Sequence, residues 1–310
     1  MSKVKTFITQ HTIIPIFVGF LLIAATIAPK FLTVNNIFNI FNQNAMKGIM
    51  AIGMTFVIIN GYFDISLVTL VGLTAAIAAK IQAIHGLFPA ITAALLVGML
   101  VGAINGLLIS RADINAFVVT LGVMLGCRGV AYIYHGGSSI TVTSQAFKDF
   151  GTGKIGPISY ISIVYIVLLL IAHYVLKYTK HGRNTYAVGG NQSAAFNAGI
   201  NTRNVTLINF IICGLMGAIG AVLYVAYLGA STPTLGWPDL HMLVISAIVL
   251  GGTKLSGGVG SVWYSLGGIM ILGIIENSMN LLNVQTYVNT MVTGIIIILV
   301  LCMDKVIYNR

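Results

Sequence analysis

The chain has 310 residues, of which 57% are hydrophobic and only 7% charged, and its mean hydropathy is +0.97. A water-soluble surface of this size needs about a quarter of the residues charged, so most of this surface must face lipid, which excludes a soluble enzyme or binding module. The formal net charge of +10 does not point to nucleic acid, because the 16 Lys and Arg residues stand in ones and twos with no interleaved aromatic stripe.

Ten hydrophobic segments are expected, near residues 12–28, 36–60, 66–82, 88–109, 115–134, 159–177, 204–229, 241–252, 260–282 and 287–303. Several approach the ~20 residues that a bilayer helix requires. The second is long with a polar start and the eighth is short, so these two are expected to break or to span only in part. No polar linker divides the chain, and one all-α membrane domain over residues 1–310 is the economical reading. Lys3 and Lys5 precede the first segment, and Thr26-Ile27-Ala28 near its end imitates a signal-peptide cleavage site. Pro29 disfavours cleavage, so a retained first span is expected. With the N-terminus in the cytoplasm, Lys3, Lys5, Arg111, Lys177, Lys180, Arg183, Arg203, Lys254, Lys305 and Arg310 fall inside, against Lys30, Lys80, Lys148 and Lys154 outside. That asymmetry follows the positive-inside rule.

In chain order, Asp64 comes first among the chemically informative residues. It is a carboxylate near membrane depth, readable either as the cap of the helix that starts after Asp64-Ile65-Ser66 or as a pathway or gating group. Gly98, Gly102 and Gly106 recur every fourth residue, a spacing that lets helix backbones approach closely, and Gly122 with Gly126 and Gly214 with Ala218 repeat it. Arg128 is expected to serve as a structural partner, and Cys127, Cys213 and Cys302 as buried small hydrophobes, since none has a metal or redox spacing. Leu255-Ser256-Gly257-Gly258 imitates the signature loop of ABC ATPases. No G-x-x-x-x-G-K-[ST] phosphate loop exists in the chain, so these residues with Gly251, Gly252 and Gly260 are expected to make a tight turn between half-buried helices. Glu276, Asn277, Asn280 and Asn283 form a polar stripe that suits either an outer vestibule or a subunit contact. The six acidic residues are Asp64, Asp113, Asp149, Asp239, Glu276 and Asp304, and no H-E-x-x-H, aspartate pair or serine–base arrangement supports an intramembrane enzyme.

The most informative stretch is the loop of about residues 182–203, Gly182-Arg183-Asn184-Thr185-Tyr186-Ala187-Val188-Gly189-Gly190-Asn191-Gln192-Ser193-Ala194-Ala195-Phe196-Asn197-Ala198-Gly199-Ile200. Its middle reads as a short amphipathic helix of small residues, led in by Gly-Gly and ended by Gly, suited to docking in a groove of a cytoplasmic partner. The stretch resembles the coupling-helix region of the ribose/xylose/arabinose-type ABC sugar permeases, whose pattern is G-R-x-x-Y-A-x-G-G-N-x-x-A-A-x-x-x-G-I. Gly53-Met54-Thr55-Phe56-Val57-Ile58, Asn115-Ala116-Phe117-Val118-Val119-Thr120-Leu121, Arg128-Gly129-Val130 and Val249-Leu250-Gly251-Gly252-Thr253 agree with that family in order.

The resemblance implies a fold similar to the vitamin B12 importer, with about ten helices, in the bacterial inner membrane. It implies cytoplasmic ATPase subunits, a second permease subunit, an extracytoplasmic binding protein and a sugar-like solute moved by alternating access, with no cofactor and no catalysis in this chain. The coupling role falls on Gly189, Gly190, Asn191, Ala195 and Gly199, with Ala195 expected to face the ATPase cleft. Asn60, Asp64, Ser66, His241, Glu276 and Asn280 are candidates for the pathway. Two departures fall there: Gly61-Tyr62-Phe63 precedes Asp64 where the family usually has Gly-Gly-Ile, and His241 stands where many members have an acid. The alternative class is a self-sufficient secondary carrier or channel, against which the scarcity of acidic residues counts.

Overall fold

The computed structural model describes residues 13–28, 30–236, 240–285, 287–295 and 298. Lys3, Lys5, Pro29, Asp239, Cys302, Asp304, Lys305 and Arg310 lie outside the described residues. The chain is helical almost throughout: α1 (Ile13–Ile27), α2 (Val34–Ile59), α3 (Leu67–His85), α4 (Leu87–Ser110) and α5 (Ala116–His135) come first. A short segment outside the long helices follows, with β1 (Ile140–Thr141), α6 (Gln145–Thr152), β2 (Lys154–Ile155) and β3 (Ile158–Ser159). Then come α7 (Tyr160–Tyr178), α8 (Lys180–Gly190), α9 (Gln192–Asn197), α10 (Thr202–Leu228), β4 (Ala230–Ser231), α11 (Leu240–Leu250) and α12 (Val262–Leu281). β1 pairs antiparallel with β4, Ile140 opposite Ser231, and β2 with β3.

Six helices, not ten, are long and apolar enough to cross a membrane among the described residues: α3, α4, α5, α7, α10 and α12. The other four expected segments are not among these six. α1 is described over 15 residues and packs Ala24 with Ala28, Phe31 and Ile274. α11 has 11 residues, a length of roughly 16 Å at 1.5 Å per residue, about half a bilayer. The last is helical over 287–295, and the rest of it is outside the described residues. α2, expected to break or to span only in part, runs unbroken for 26 residues and is not one of the six. Its polar start is satisfied by α12: Asn36 and Asn277 exchange amide hydrogen bonds of 2.8 and 2.9 Å, and Lys47 Nζ lies 2.6 Å from Glu276 Oε2. With those groups paired, nothing forces the backbone open.

α10 is the axis of the bundle, and glycine is what lets α4 and α2 reach it. A Cβ at Gly102 would overlap the Phe210 carbonyl oxygen, one at Gly98 would lie 2.6 Å from Gly214 O, and one at Gly106 would lie 2.9 Å from Leu207 Cα. Steps of about four back along α4 thus meet steps of about four forward along α10, the signature of close antiparallel packing through small residues. Gly53 of α2 sits against Cys213 and Met216 in the same manner. Cys127 and Cys213 are free and buried. Arg128 lies over the Tyr132 ring, 5.8 Å from its centroid. The same spacing at Gly122 and Gly126 behaves differently, because among the described residues added Cβ atoms there would meet nothing within 4 Å. α5 turns Val119, Met124, Cys127 and Ala131 inward, and its glycines fall on the open face.

Two segments enter the bundle and stop partway. The Leu67 side chain reaches Gly217, midway along α10, so α3 begins deep inside and residues 60–66 run back toward it. A Cβ at Gly236 would meet Val68 O at 3.2 Å, which puts the segment before α11 at that same depth. From there α11 descends to Gly251, whose backbone touches Tyr264 at the start of α12. Basic residues sort accordingly: Arg111 bonds Asn204 at the foot of α10, whereas Lys80 bonds Tyr134 O at the opposite end.

The packing makes an unequal pair of substitutions. Gly102→Ala should lower thermal stability in detergent by about 1–3 kcal/mol through overpacking against α10. Gly122→Ala should be neutral or stabilise by up to ~1 kcal/mol through helix propensity. Equal melting temperatures for the two variants would contradict this placement of α4 and α5.

Candidate functional site

The loop between α7 and α10 folds as two short helices set at an angle. Thr179 caps α8, its hydroxyl accepting from Gly182 N at 3.2 Å. Gly189 and Gly190 close α8 instead of leading into the next helix. Asn191 is extended (φ −161°, ψ 104°), and its Oδ1 accepts from Ala194 N at 2.9 Å, capping α9. Gly199, at φ +80°, ends α9 with Gly199 N donating to Phe196 O and Ile200 N to Ala195 O.

That phase corrects the expectation for Ala195. It is 5% exposed and packs with Val188 and Val205 of its own chain, so it seats α9 and does not face outward. The outward apolar side chain is its neighbour Phe196, 68% exposed, which sequence reasoning passed over. A six-residue helix is too short for periodicity to fix its phase, although a lone aromatic among small polar residues was a usable signal.

Beneath the two helices, three stretches of backbone meet without side chains between them. Ile59 O at the end of α2 accepts from Gly258 N at 2.8 Å. A Cβ at Gly189 would overlap the Ile59 carbonyl oxygen, and one at Gly257 would lie 2.7 Å from Gly189 O and 2.8 Å from Gly61 Cα. Gly257 and Gly258 also hold φ of +83° and +75°, the left-handed region glycine adopts without strain. The Leu255-Ser256-Gly257-Gly258 turn is therefore one jaw of a backbone clasp on the end of α8. Two hydroxyls reinforce it: Tyr186 donates to Gly260 O at 2.8 Å, and Tyr62 to Gln192 Oε1 of α9 at 3.3 Å.

A buried polar layer lies behind the clasp. His181 Nε2 is 2.8 Å from Asn209 Oδ1 of α10, Thr185 bonds the same amide, and the His181 ring stacks on Phe56. Asn60 Nδ2 donates to Thr206 Oγ1 at 2.8 Å. Burial pushes the His181 pKa down, opposed only in part by the Asn209 bond. Burial likewise raises Tyr62, with Asp113 adding to it, and raises Tyr186, with Tyr264 adding to it. All three side chains are thus held neutral.

Asp64 sits next to this layer, 1% exposed. Its Oδ1 accepts from Ser66 N at 2.9 Å and Ser66 Oγ at 2.6 Å, so the carboxylate organises the first turn of α3. Asn105 of α4 adds Nδ2 contacts of 3.2–3.3 Å to both carboxylate oxygens and 2.8 Å to Ser66 Oγ. Sequence reading missed Asn105, though a solitary Asn in the apolar run of α4 marked it. Of the other pathway candidates, His241 is buried on α11, whereas Glu276 and Asn280 lie at the far end of α12. Asn60, Asp64 and Ser66 are thus brought to the clasp end and the α12 pair is not. A cavity of about 390 Å³ opens beside the clasp, between Gly61, Tyr62 and Phe63 on one side and Asp113, Asn115 and Phe117 on the other.

Comparison with known proteins matches residues 36–301 to a family described as Branched-chain amino acid transport system / permease component. The chain is 38% identical over 290 residues to Ribose import permease protein RbsC of Escherichia coli strain K12, covering 91% of this chain and 89% of that one. It is 35% identical over 299 residues to L-arabinose ABC transporter permease protein AraH of Azospirillum brasilense, covering 94% and 86%. It is 33% identical over 301 residues to L-arabinose transport system permease protein AraH of Escherichia coli strain K12, covering 96% and 90%. No solved structure gives a significant match.

The His181 environment sets a pH dependence. A histidine with a lowered folded pKa contributes its full stability above the ordinary value of about 6.5, and that contribution is lost as pH falls from there through the folded value. Hydrogen exchange across residues 180–190, corrected for intrinsic rate, should therefore quicken at pH 5 relative to pH 8. His181→Gln should flatten the difference. A pH-independent wild type would contradict the packing of α8 against Asn209.

Proposed function

This chain belongs to the family of branched-chain amino acid transport system permease components, and from that premise we propose that it carries a monosaccharide or a similar small polar solute into the cell. It does so as the multi-pass inner-membrane permease subunit of an ATP-binding cassette importer. The solute class is supported by its relatives, a ribose import permease and two L-arabinose transport permeases. Cytoplasmic ATPase subunits, a second permease subunit and an extracytoplasmic binding protein complete the machine, and ATP is hydrolysed in the partner, not here. The full architecture in this reading is a ten-span bundle of the vitamin B12 importer type, counting α1, α2, α11 and the last segment with the six apolar helices.

The observation that carries the proposal is the α8–α9 segment, with Phe196 outside and a backbone clasp inside. An exposed aromatic on a small-residue helix is the usual anchor for a partner's pocket. Closure of the ATPase subunits pushes on α9, and the clasp passes that push to the end of α2 and the start of α12. Because residues 60–66 lead directly from the clasp to Asp64, the same displacement reaches the break before α3. The permease then alternates between access states as ATP binding shifts their populations.

Phe196→Ala should leave insertion intact, because Phe196 supports no core of its own chain. Loss of a buried aromatic anchor costs roughly 2 kcal/mol or more, so ATPase affinity should fall by more than tenfold and ATP-driven uptake in proteoliposomes with it. Ala195→Arg should act differently, since burying a charge against Val188 and Val205 unseats α9 itself, and exchange protection of 192–200 should be lost. Wild-type uptake and ATPase binding by Phe196→Ala would overturn the docking assignment.

A further inference from the structure

A second cavity, of about 340 Å³, lies between α4, α6 and α10, at the end of the bundle away from the clasp. Every side chain that lines it is apolar, including Leu87, Ile91 and Leu95 of α4, Phe147 and Phe150 of α6, and Val222 of α10. Leu87 opens α4, so these three lining residues cover roughly the first 12 Å of a membrane-crossing helix at 1.5 Å per residue. At that depth the surrounding solvent is hydrocarbon. An apolar space of this size offers water no hydrogen-bonding partners, and left empty it forfeits dispersion contacts along its whole lining.

α6 forms the roof, and its two faces sort as an interfacial helix does. Phe147 and Phe150 face the cavity, while Gln145, Lys148, Asp149 and Thr152 share the polar side, and Lys154 follows in β2. The Tyr160 ring lies 5.8 Å from that of Phe150, placing an amphipathic aromatic at the rim. Apolar lining below, with an aromatic and two lysines above, reproduces the vertical order of one leaflet, from chain to interface to phosphate. The roof is also held away from α4. Gly151 brings the α6 backbone against that of Ala226, so α6 is fixed on α10 and cannot collapse into the space.

We propose that this cavity binds one acyl chain of a phospholipid from the leaflet opposite the docking segment, with the headgroup phosphate at the Lys148–Lys154 rim. This rests only on the chain crossing a membrane, so its failure would leave the transport reading untouched. A phospholipid carrying a diazirine near the middle of an acyl chain, photolysed in proteoliposomes of the wild-type chain, is the probe. Mass-spectrometric mapping should find labels at Phe147 or Phe150 and also at Leu96 and Leu100, which are exposed on another face of α4. Filling the cavity with Ala146→Phe or Val222→Phe should cut the α6 labels at least fivefold and spare Leu96 and Leu100, which report that the protein is inserted and folded. Absence of α6 labels in the wild type overturns the proposal, as does unchanged labelling in both filled variants. Loss at α6 that never spares Leu96 and Leu100 also overturns it, and a copy-to-copy cross-link through the cavity would give the site to a second subunit instead.

Discussion

The hydrogen bond from Gly258 N to Ile59 O, 2.8 Å long, depends on Gly189 having no side chain, and the rest of the functional end depends on that bond. Three segments far apart in sequence, the end of α2, the end of α8 and the turn before α12, touch there through backbone atoms alone. A backbone contact has no rotamers to absorb displacement, so movement of one segment must be taken up by the other two. Glycine is thus required by space at 189, by dihedral angle at 61, and by both at 257 and 258. The side-chain bonds of Tyr62 and Tyr186 add direction to a contact that shape has already fixed.

Around this point the bundle separates stiffness from freedom. α4 is joined to α10 by glycine-to-backbone packing at Gly98, Gly102 and Gly106, and α2 at Gly53, and the three form one wall. α3 and α11 begin partway through the bundle, where irregular backbone is tolerated because it is buried in protein. The Asp64–Ser66–Asn105 cluster sits at one of these breaks and ties it to that wall through α4. Buried polar groups are costly unless fully bonded. Among the described residues, Asn105 Oδ1 and Asn60 Oδ1 are buried without a hydrogen-bond partner.

Most of the helical architecture was legible in the sequence, because long apolar runs have one stable fate in lipid. Legibility failed where a pattern fits two geometries. Gly98, Gly102 and Gly106 and the pair Gly122 and Gly126 share one spacing, yet the first set meets α10 and the second meets nothing among the described residues, since spacing names a face and not its neighbour. The polar start of α2 read as a break or a partial span because its partners are far away in the chain, 241 residues for Asn36–Asn277 and 229 for Lys47–Glu276. In the segment between α7 and α10, Gly199 kept its expected place as exit, whereas the entry is the Asn191 cap instead of Gly189-Gly190, and the buried and outward positions fall on the neighbours Ala195 and Phe196. Leu255-Ser256-Gly257-Gly258 was readable as a turn, but its contact with Gly189 is a tertiary fact that no local pattern carries.

Under the proposed function, the clasp, and not docking alone, transmits the ATPase stroke. Gly189→Ala tests it most directly, because the added methyl collides with the Ile59 carbonyl while Phe196 and the outer face of α9 stay as they were. The measurement is ATP hydrolysed per solute imported by the complete complex in proteoliposomes. The account predicts assembly with ATPase subunits near wild-type affinity, sustained hydrolysis, and uptake reduced at least tenfold, so that the ratio rises by the same factor. A variant that assembles and keeps the wild-type ratio would show that the stroke travels by another route.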